Sequence, residues 1–261
     1  MAQVSSISRV GTTEPFYLQV ARNQISFHKS NFKFGFNADV DDSLETVWAQ
    51  GGLYSYLASA SVLKVSSSST ADTSAGTGAR TVELFGLDTN YDEINETVTL
   101  NGQTAVNTTK EYLRINRMVV RSAGTGTQNA GVIYAGTGTV TAGVPANKYA
   151  TIAIGDNQTV MALWTVPRGY TAYLLQTDIT VATTQNNKYC TVHLVARPNG
   201  EVFQIKDKFV KSESSVHQTY TIPLKFEEKT DIEVRAIGDS AGADIAISAG
   251  LDIIYIQNDG A

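Results

Sequence analysis

The stretch Thr97-Val98-Thr99-Leu100-Asn101-Gly102-Gln103-Thr104-Ala105-Val106 alternates polar and apolar residues on both sides of an Asn-Gly pair. Alternation at period 2 builds a strand with one buried face, and Asn-Gly tolerates the positive φ of a type I′ turn, so the segment predicts a β-hairpin. The same grammar runs from Ala58 to the end of the chain. Short runs rich in Val, Ile, Thr and Tyr at 62–66, 80–85, 96–100, 112–121, 132–135, 149–154 and 159–166 are divided by Gly, Pro, Asn and Ser clusters. Runs at 170–181, 189–196, 202–206, 216–222, 231–237 and 243–256 continue the series, with Pro167-Arg168-Gly169 and Arg197-Pro198-Asn199-Gly200 reading as hairpin turns. Strands at this spacing predict an all-β fold, an antiparallel β-sandwich or jelly roll. The charged fraction of 17% is too low, and the Lys and Glu too scattered, for a bundle or coiled coil. A single helical candidate spans 43–50, where Ser43 caps and Leu44, Val47 and Trp48 share a face.

Residues 1–57 read differently and predict an extended N-terminal arm, leaving 58–261 as the sandwich domain. Phe16-Tyr17-Leu18-Gln19-Val20 follows Pro15, and Phe32, Phe34 and Phe36 alternate with Asn31, Lys33, Gly35 and Asn37. An aromatic stripe on every second residue requires an apolar surface to cover it, either the chain's own sandwich or a neighbouring subunit. Phe16, Tyr17, Phe32, Phe34, Phe36 and Trp48 are therefore the candidate assembly-interface residues. Gly143 and Pro145 interrupt the pattern at 140–147, which offers a division into two lobes, although similar strands on either side favour one interlocked sandwich. Ala-Gly-Thr-Gly recurs at 75–78, 123–126 and 135–138 with unequal spacing, so it predicts loops whose glycines take positive φ rather than a structural repeat.

A net charge of -5 and the lack of a basic stripe argue against direct nucleic-acid binding. Arg117 and Arg121 share a strand face while Arg114 lies on the other, which predicts solvent-facing or interface charges. The single cysteine, Cys190, excludes an intrachain disulfide. The N-terminus lacks the basic start and apolar stretch of a signal peptide, and no apolar run reaches bilayer length, so a soluble chain without membrane contact is expected. Chemistry-bearing patterns are scarce. Cys190 and His193, three apart on a strand, face opposite sides and make no nucleophile pair, although His193 and His217 could meet across strands. Asn37-Ala38-Asp39-Val40-Asp41 begins like a calcium loop, yet Asp42 and Trp48 stand where Gly and Glu are required. A solvated acidic turn, or an irregular cation site at Asp39, Asp41, Asp42 or Glu45, remains. No phosphate loop and no nucleophile elbow occurs. The expectation is a protein that is not an enzyme and holds no metal or cofactor.

Gly86-Leu87-Asp88, Glu96-Thr97-Val98-Thr99-Leu100-Asn101-Gly102 and Tyr112-Leu113-Arg114 together resemble virion structural proteins of tailed bacteriophages, especially short-tailed marine ones. The strand-turn phrases of the C-terminal half extend the likeness over most of the chain from Pro15 onward. The resemblance implies a structural component of the virion, assembled in the host cytoplasm. Within the particle the expected role is that of a capsid cement or decoration protein, which binds the major capsid protein or other virion proteins through the N-terminal arm. Three-fold positions on capsids point to a homotrimer. The alternative is a tail or fibre component that contacts the host surface or its glycans through Tyr54, Tyr56, Tyr91 and Tyr134, whose rings suit stacking on sugar faces. A polysaccharide depolymerase, a third reading, has no residue pattern behind it.

Overall fold

The computed structural model describes residues 8–9, 12–183, 188–212, 214–242 and 244–258. Their elements are α1 (Phe16–Ala21) and eighteen strands, all paired antiparallel. A two-strand ladder of β1 (Ser8–Arg9) and β2 (Thr12–Thr13) precedes α1; β3 (His28–Val40) and β4 (Glu45–Thr46) follow it. The chain then builds one lobe from β5 (Ser61–Ser67), β6 (Ala79–Leu87), β7 (Glu93–Thr99), β8 (Val106–Tyr112), β9 (Arg114–Ala123), β10 (Ile133–Thr141) and β11 (Val144–Ile152). A second lobe takes β12 (Leu163–Thr165), β13 (Tyr170–Thr183), β14 (Cys190–Arg197), β15 (Gln204–Lys211), β16 (Ser214–Phe226), β17 (Asp231–Gly238) and β18 (Ile245–Gln257), together with β3 and β4.

Each lobe has its own core. In the first, sheets ordered β11-β10-β5-β8 and β7-β6-β9 bury Leu63, Val65, Leu84, Met118, Ile133 and Ile152 between them. In the second, sheets ordered β16-β13-β18-β3 and β12-β17-β14-β15 bury Leu174, Ile179, Val192, Leu194, Val234, Ile247 and Leu251. The pairing in the second lobe is nested: β14 pairs β15, β13 pairs β16, β12 pairs β17 and β3 pairs β18. Further ladders, β13 with β18 and β14 with β17, join these pairs into a four-stranded sheet and, with β4 on β17, a five-stranded one.

The expected all-β, antiparallel class holds, but several local expectations do not. Asn101-Gly102 closes no hairpin, because β7 pairs β6 while β8 pairs β5 in the other sheet. The expected turn centred on Asn101-Gly102 gives way to one a residue later: only Gly102 of the pair has a positive φ, +59°, and the Thr104 amide donates to the Asn101 carbonyl at 3.1 Å, which puts Gly102 and Gln103 at its centre. It serves as a corner between sheets, held by the Gly102 amide on the Asp72 carbonyl and the Ser67 amide on the Gly102 carbonyl. Gly169 likewise turns a corner between β12 and β13, which lie in different sheets, whereas Pro198 to Glu201 does close the β14–β15 hairpin. The interruption at 140–147 is no boundary. Ala142 and Gly143, at φ 49° and 80°, make the two-residue turn of the β10–β11 hairpin, with Thr141 opposite Val144. The cores divide instead at β12, which gives Leu163 to the first and Trp164 to the second. Segment 43–50 holds β4 rather than a helix, because Glu45 and Thr46 pair with β17.

The Ala-Gly-Thr-Gly glycines at 76 and 124 are required by close backbone approach and that at 78 by the buried Asp72 carboxylate, not by positive φ. A Cβ on Gly76 would sit 2.0 Å from the Ala71 carbonyl oxygen, and one on Gly124 would sit 2.2 Å from that of Gly76. The first two copies thus pack on each other, with the Gly124 amide donating to the Gly78 carbonyl. Buried Asp72 organises this cluster by accepting from the amides of Ala79, Ala130 and Gly131 and from the Ser67 hydroxyl. Only Gly138, of the third copy, has a positive φ.

The largest correction concerns the arm. From His28 to Val40 it is an edge strand of the second lobe, and Val40 and Val47 belong to that lobe's core. Residues 1–7 and 10–11 of the expected arm lie outside the described residues.

Candidate functional site

The register of β3 on β18 decides what the aromatic stripe faces. Lys33, Gly35 and Asn37 lie opposite Leu251, Ala249 and Ile247, whose side chains fill the core, so these three β3 residues point inward. Phe32, Phe34 and Phe36 lie opposite Asp252, Gly250 and Ser248 and stand on the outer face. Phe32 and Phe36 are 56% and 41% exposed, Phe34 is half-buried, and Phe32 stacks on Phe34 with centroids 5.8 Å apart. Gly35 is obligatory, since a Cβ there would lie 2.2 Å from both the Ala162 amide nitrogen and the Val47 carbonyl oxygen.

Of the other candidate interface residues, Phe16 and Tyr17 project from α1 and are exposed. Tyr17 and Phe32 flank a depression of about 460 Å³ on the outer sheet face, floored by Gln176, Thr219 and Asp252. Trp48 is not on this surface. It is buried in the first lobe's core, edge-on to Tyr54, and donates its indole N–H to the Gly52 carbonyl at 3.0 Å.

The two lobes meet at a buried ionic network that the sequence did not announce. Arg114 of β9, expected to face solvent or an interface, grips Asp231 of β17 through Nε at 2.8 Å and Nη2 at 3.1 Å. Arg197 reaches the same carboxylate at 2.6 Å, and the Thr165 hydroxyl donates to it at 2.6 Å. Beside it, Glu233 accepts from Arg235 and the Tyr56 hydroxyl and from Thr46. Arg114 and Arg197 stack on the Tyr56 ring, 5.0 and 4.6 Å from its centroid. Burial opposes the charge on Arg114, but the hydrogen bonds and charge of Asp231 outweigh it and raise its pKa.

Two of the four tyrosines expected to meet glycans, Tyr56 and Tyr91, contact this network. Tyr54 is buried and donates to the Tyr149 carbonyl, Tyr56 bonds Glu233, and Tyr91 lies under Arg114 and bonds Asn199. Tyr134 is buried in β10.

Beside the network, a cleft of about 670 Å³ opens between the lobes. One wall comes from β3 and β18, with Phe32, Lys33, Phe34 and Tyr255; the other comes from β6, β7 and β9, with Phe85, Glu93, Ile94, Asn95, Asn116 and Arg117. Gln158 and Thr159, between β11 and β12, and Trp164 close it. Lys33 is 6% exposed and donates to the Asn116 carbonyl. Burial, reinforced by the positive charge of Arg117, pulls its pKa down to about 7. Arg117 donates to the Gln158 side-chain oxygen at 2.7 Å. Neither cation has a carboxylate within ion-pair distance among the described residues, whereas Glu93 is paired with Lys29 at 2.6 Å.

The remaining sequence candidates do not converge. Asp41 accepts from the Gly242 amide, and Glu45 is turned inward onto Asn37 and the Gly52 amide, so the acidic turn does not focus its oxygens on one point. No group of three or more His, Cys, Asp or Glu side chains suited to a metal occurs among the described residues. His193 and His217 lie in different sheets and do not meet, and His217 bonds Asp178 instead. Cys190 is buried, and burial pushes its thiol up to about 11. No described helix is long and apolar enough to cross a membrane.

No family model and no curated protein matches the chain. Among solved structures it is similar to chains of infectious bursal disease virus. The Gt strain structure is 13% identical with a TM-score of 0.23, over 95% of this chain and 79% of that one. The VP2 subviral particle is 10% identical with a TM-score of 0.24, over 94% and 78%, and the Gx strain structure 11% with a TM-score of 0.23, over 90% and 73%. Superpositions this loose carry no functional argument.

Proposed function

We propose that the chain is a structural subunit of a tailed-phage virion, a cement or decoration protein on the capsid shell, whose second lobe is an eight-stranded jelly roll. The nested pairing carries this reading. Taken in chain order, β3 and β12 to β18 pair first with last, second with seventh, third with sixth and fourth with fifth. A long two-stranded ribbon folded once and rolled into two sheets has this pairing. The first lobe is then an insertion between the first strand of the ribbon, β3, and the second, β12. Such a roll is a rigid block with few free edges, suited to repetition in a shell.

The phrases shared with virion proteins support the same reading. Attachment falls to the outer face of β3 and to α1, where Phe16, Tyr17, Phe32 and Phe36 leave apolar surface uncovered. The partner is the major capsid protein or a neighbouring virion protein, and three-fold capsid positions favour a homotrimer. The role is mechanical, without catalysis. Quantitative mass spectrometry of purified particles tests it: copy numbers in the hundreds, comparable with the major shell protein, are expected. A few dozen copies or fewer, as closed rings of small symmetry need, would move the protein to the tail, and absence from particles would end the reading.

A further inference from the structure

We propose that the cleft between the lobes binds an acidic sugar residue of the uronate or sialate class, its ring against Phe32 and Phe34 and its carboxylate between Lys33 and Arg117. This goes beyond a shell role and does not depend on it. The protein as a whole is acidic, at -5, yet the cleft is locally cationic. Lys33 on one wall and Arg117 on the other have no carboxylate partner among the described residues, and the one acid lining the cleft, Glu93, is neutralised by Lys29. When Lys33 is protonated, it and Arg117 repel each other across the cleft with no carboxylate to compensate, a situation that an anion between them relieves. Lys33 spends one ammonium donor on the Asn116 carbonyl, which leaves two for a ligand.

The rest of the lining selects the anion. Phe32 and Phe34, stacked on each other with an interplanar angle of 22°, give the cleft an aromatic wall, and an exposed ring face suits the C–H face of a pyranose. Around it stand the amides of Asn31, Asn95, Asn116 and Gln158; Asn95 already donates to Glu83, and the Asn116 and Gln158 oxygens accept from Thr165 and Arg117, and the hydrogen-bonding capacity left over suits sugar hydroxyls. A volume of about 670 Å³ lies within the range of small-ligand sites, which favour junctions between lobes. A nucleotide would also stack on the rings, but phosphate sites draw on a helix N-terminus or a glycine nest, and α1, the described helix, does not line the cleft.

The other titratable groups lining the cleft are Glu93, Arg117 and Tyr255, and burial carries the Tyr255 hydroxyl far above neutrality. Lys33 is thus the group that changes charge near pH 7, and a bound carboxylate holds it protonated. Isothermal titration of the full chain with glucuronate, glucose and adenosine monophosphate, in buffers of different ionisation enthalpy, tests the inference. Glucuronate is expected to bind at least about tenfold more tightly than glucose, the difference expected of a charge-assisted hydrogen bond. It should take up a fraction of a proton at pH 7.5, and both effects should weaken in Arg117→Gln, a surface change that leaves the fold intact. Lys33→Met should abolish the proton uptake. Equal binding of glucose and glucuronate, tighter binding of the nucleotide, an unchanged affinity in Arg117→Gln, or no binding of any of the three would overturn it.

Discussion

Lys33 is the residue at which local sequence and tertiary placement conflict most. Its neighbours Phe32 and Phe34 are the apolar members of the stripe, yet it is the ammonium that turns inward. Burial has a calculable consequence. The folded pKa is lowered to about 7 against 10.5 for the free group, so between those values the unfolded chain binds a proton that the native chain does not. Stability therefore rises with pH across this window, by up to about 1.4 kcal/mol per pH unit, and below pH 7 the full cost of the buried charge persists. Lys33→Met should flatten this slope and raise the urea midpoint at pH 6.5. A slope unchanged by the substitution would place the titration elsewhere. Period-2 alternation made it legible that Phe32, Phe34 and Phe36 share a face, but not which face. That choice rests on the register with β18, more than two hundred residues away.

At the scale of elements, β3 carries the sharpest test. Read from composition, residues before Ala58 form a tether that can be removed from a folded domain. In the structure they supply a thirteen-residue strand, together with Val40, Val47 and Trp48 of the two cores. Deleting residues 1–57 should abolish the cooperative thermal transition measured by circular dichroism, because β18 loses β3 from one edge and both cores lose side chains. A truncated chain that melts cooperatively near the parent temperature would restore the tether reading. The turns teach a related lesson. Gly102, Gly169 and Gly200 all turn the chain with positive φ as their residue type allows, but only the last joins strands that pair with each other. Turn chemistry prescribes a local reversal, and sheet partners are chosen by the faces the strands must bury. Ala142-Gly143 went unread because alanine does not advertise its φ of 49°.

For the whole molecule, the coupling between lobes runs through Arg114, which reaches from β9 to Asp231 of β17 while also touching the Leu57 carbonyl at 3.1 Å. Arg114→Ala removes a buried cation from a carboxylate that retains Arg197 and Thr165, at a cost of about 3 kcal/mol. Because each lobe has its own core, the expected calorimetric result is a single endotherm in the parent and two separated endotherms in the variant. A single transition that merely shifts would mean that the lobes are bound by surfaces other than this network. The arginine was visible in the sequence, but its partner lies more than a hundred residues away, and residue type alone cannot distinguish a paired buried arginine from a solvated one.

By itself the sequence determined the class: alternating Val, Ile, Thr and Tyr runs cut by Gly, Pro and Asn can bury their apolar sides only in antiparallel sheets. It also determined that Cys190 and His193 stand on opposite strand faces, since that depends on a period of two and nothing else. The tertiary structure decided the division into two cores, the nested order of the second lobe, the inward turn of Lys33 and the cleft it lines. Each of these depends on strand partners far apart along the chain, and local periodicity carries no information about partner or register.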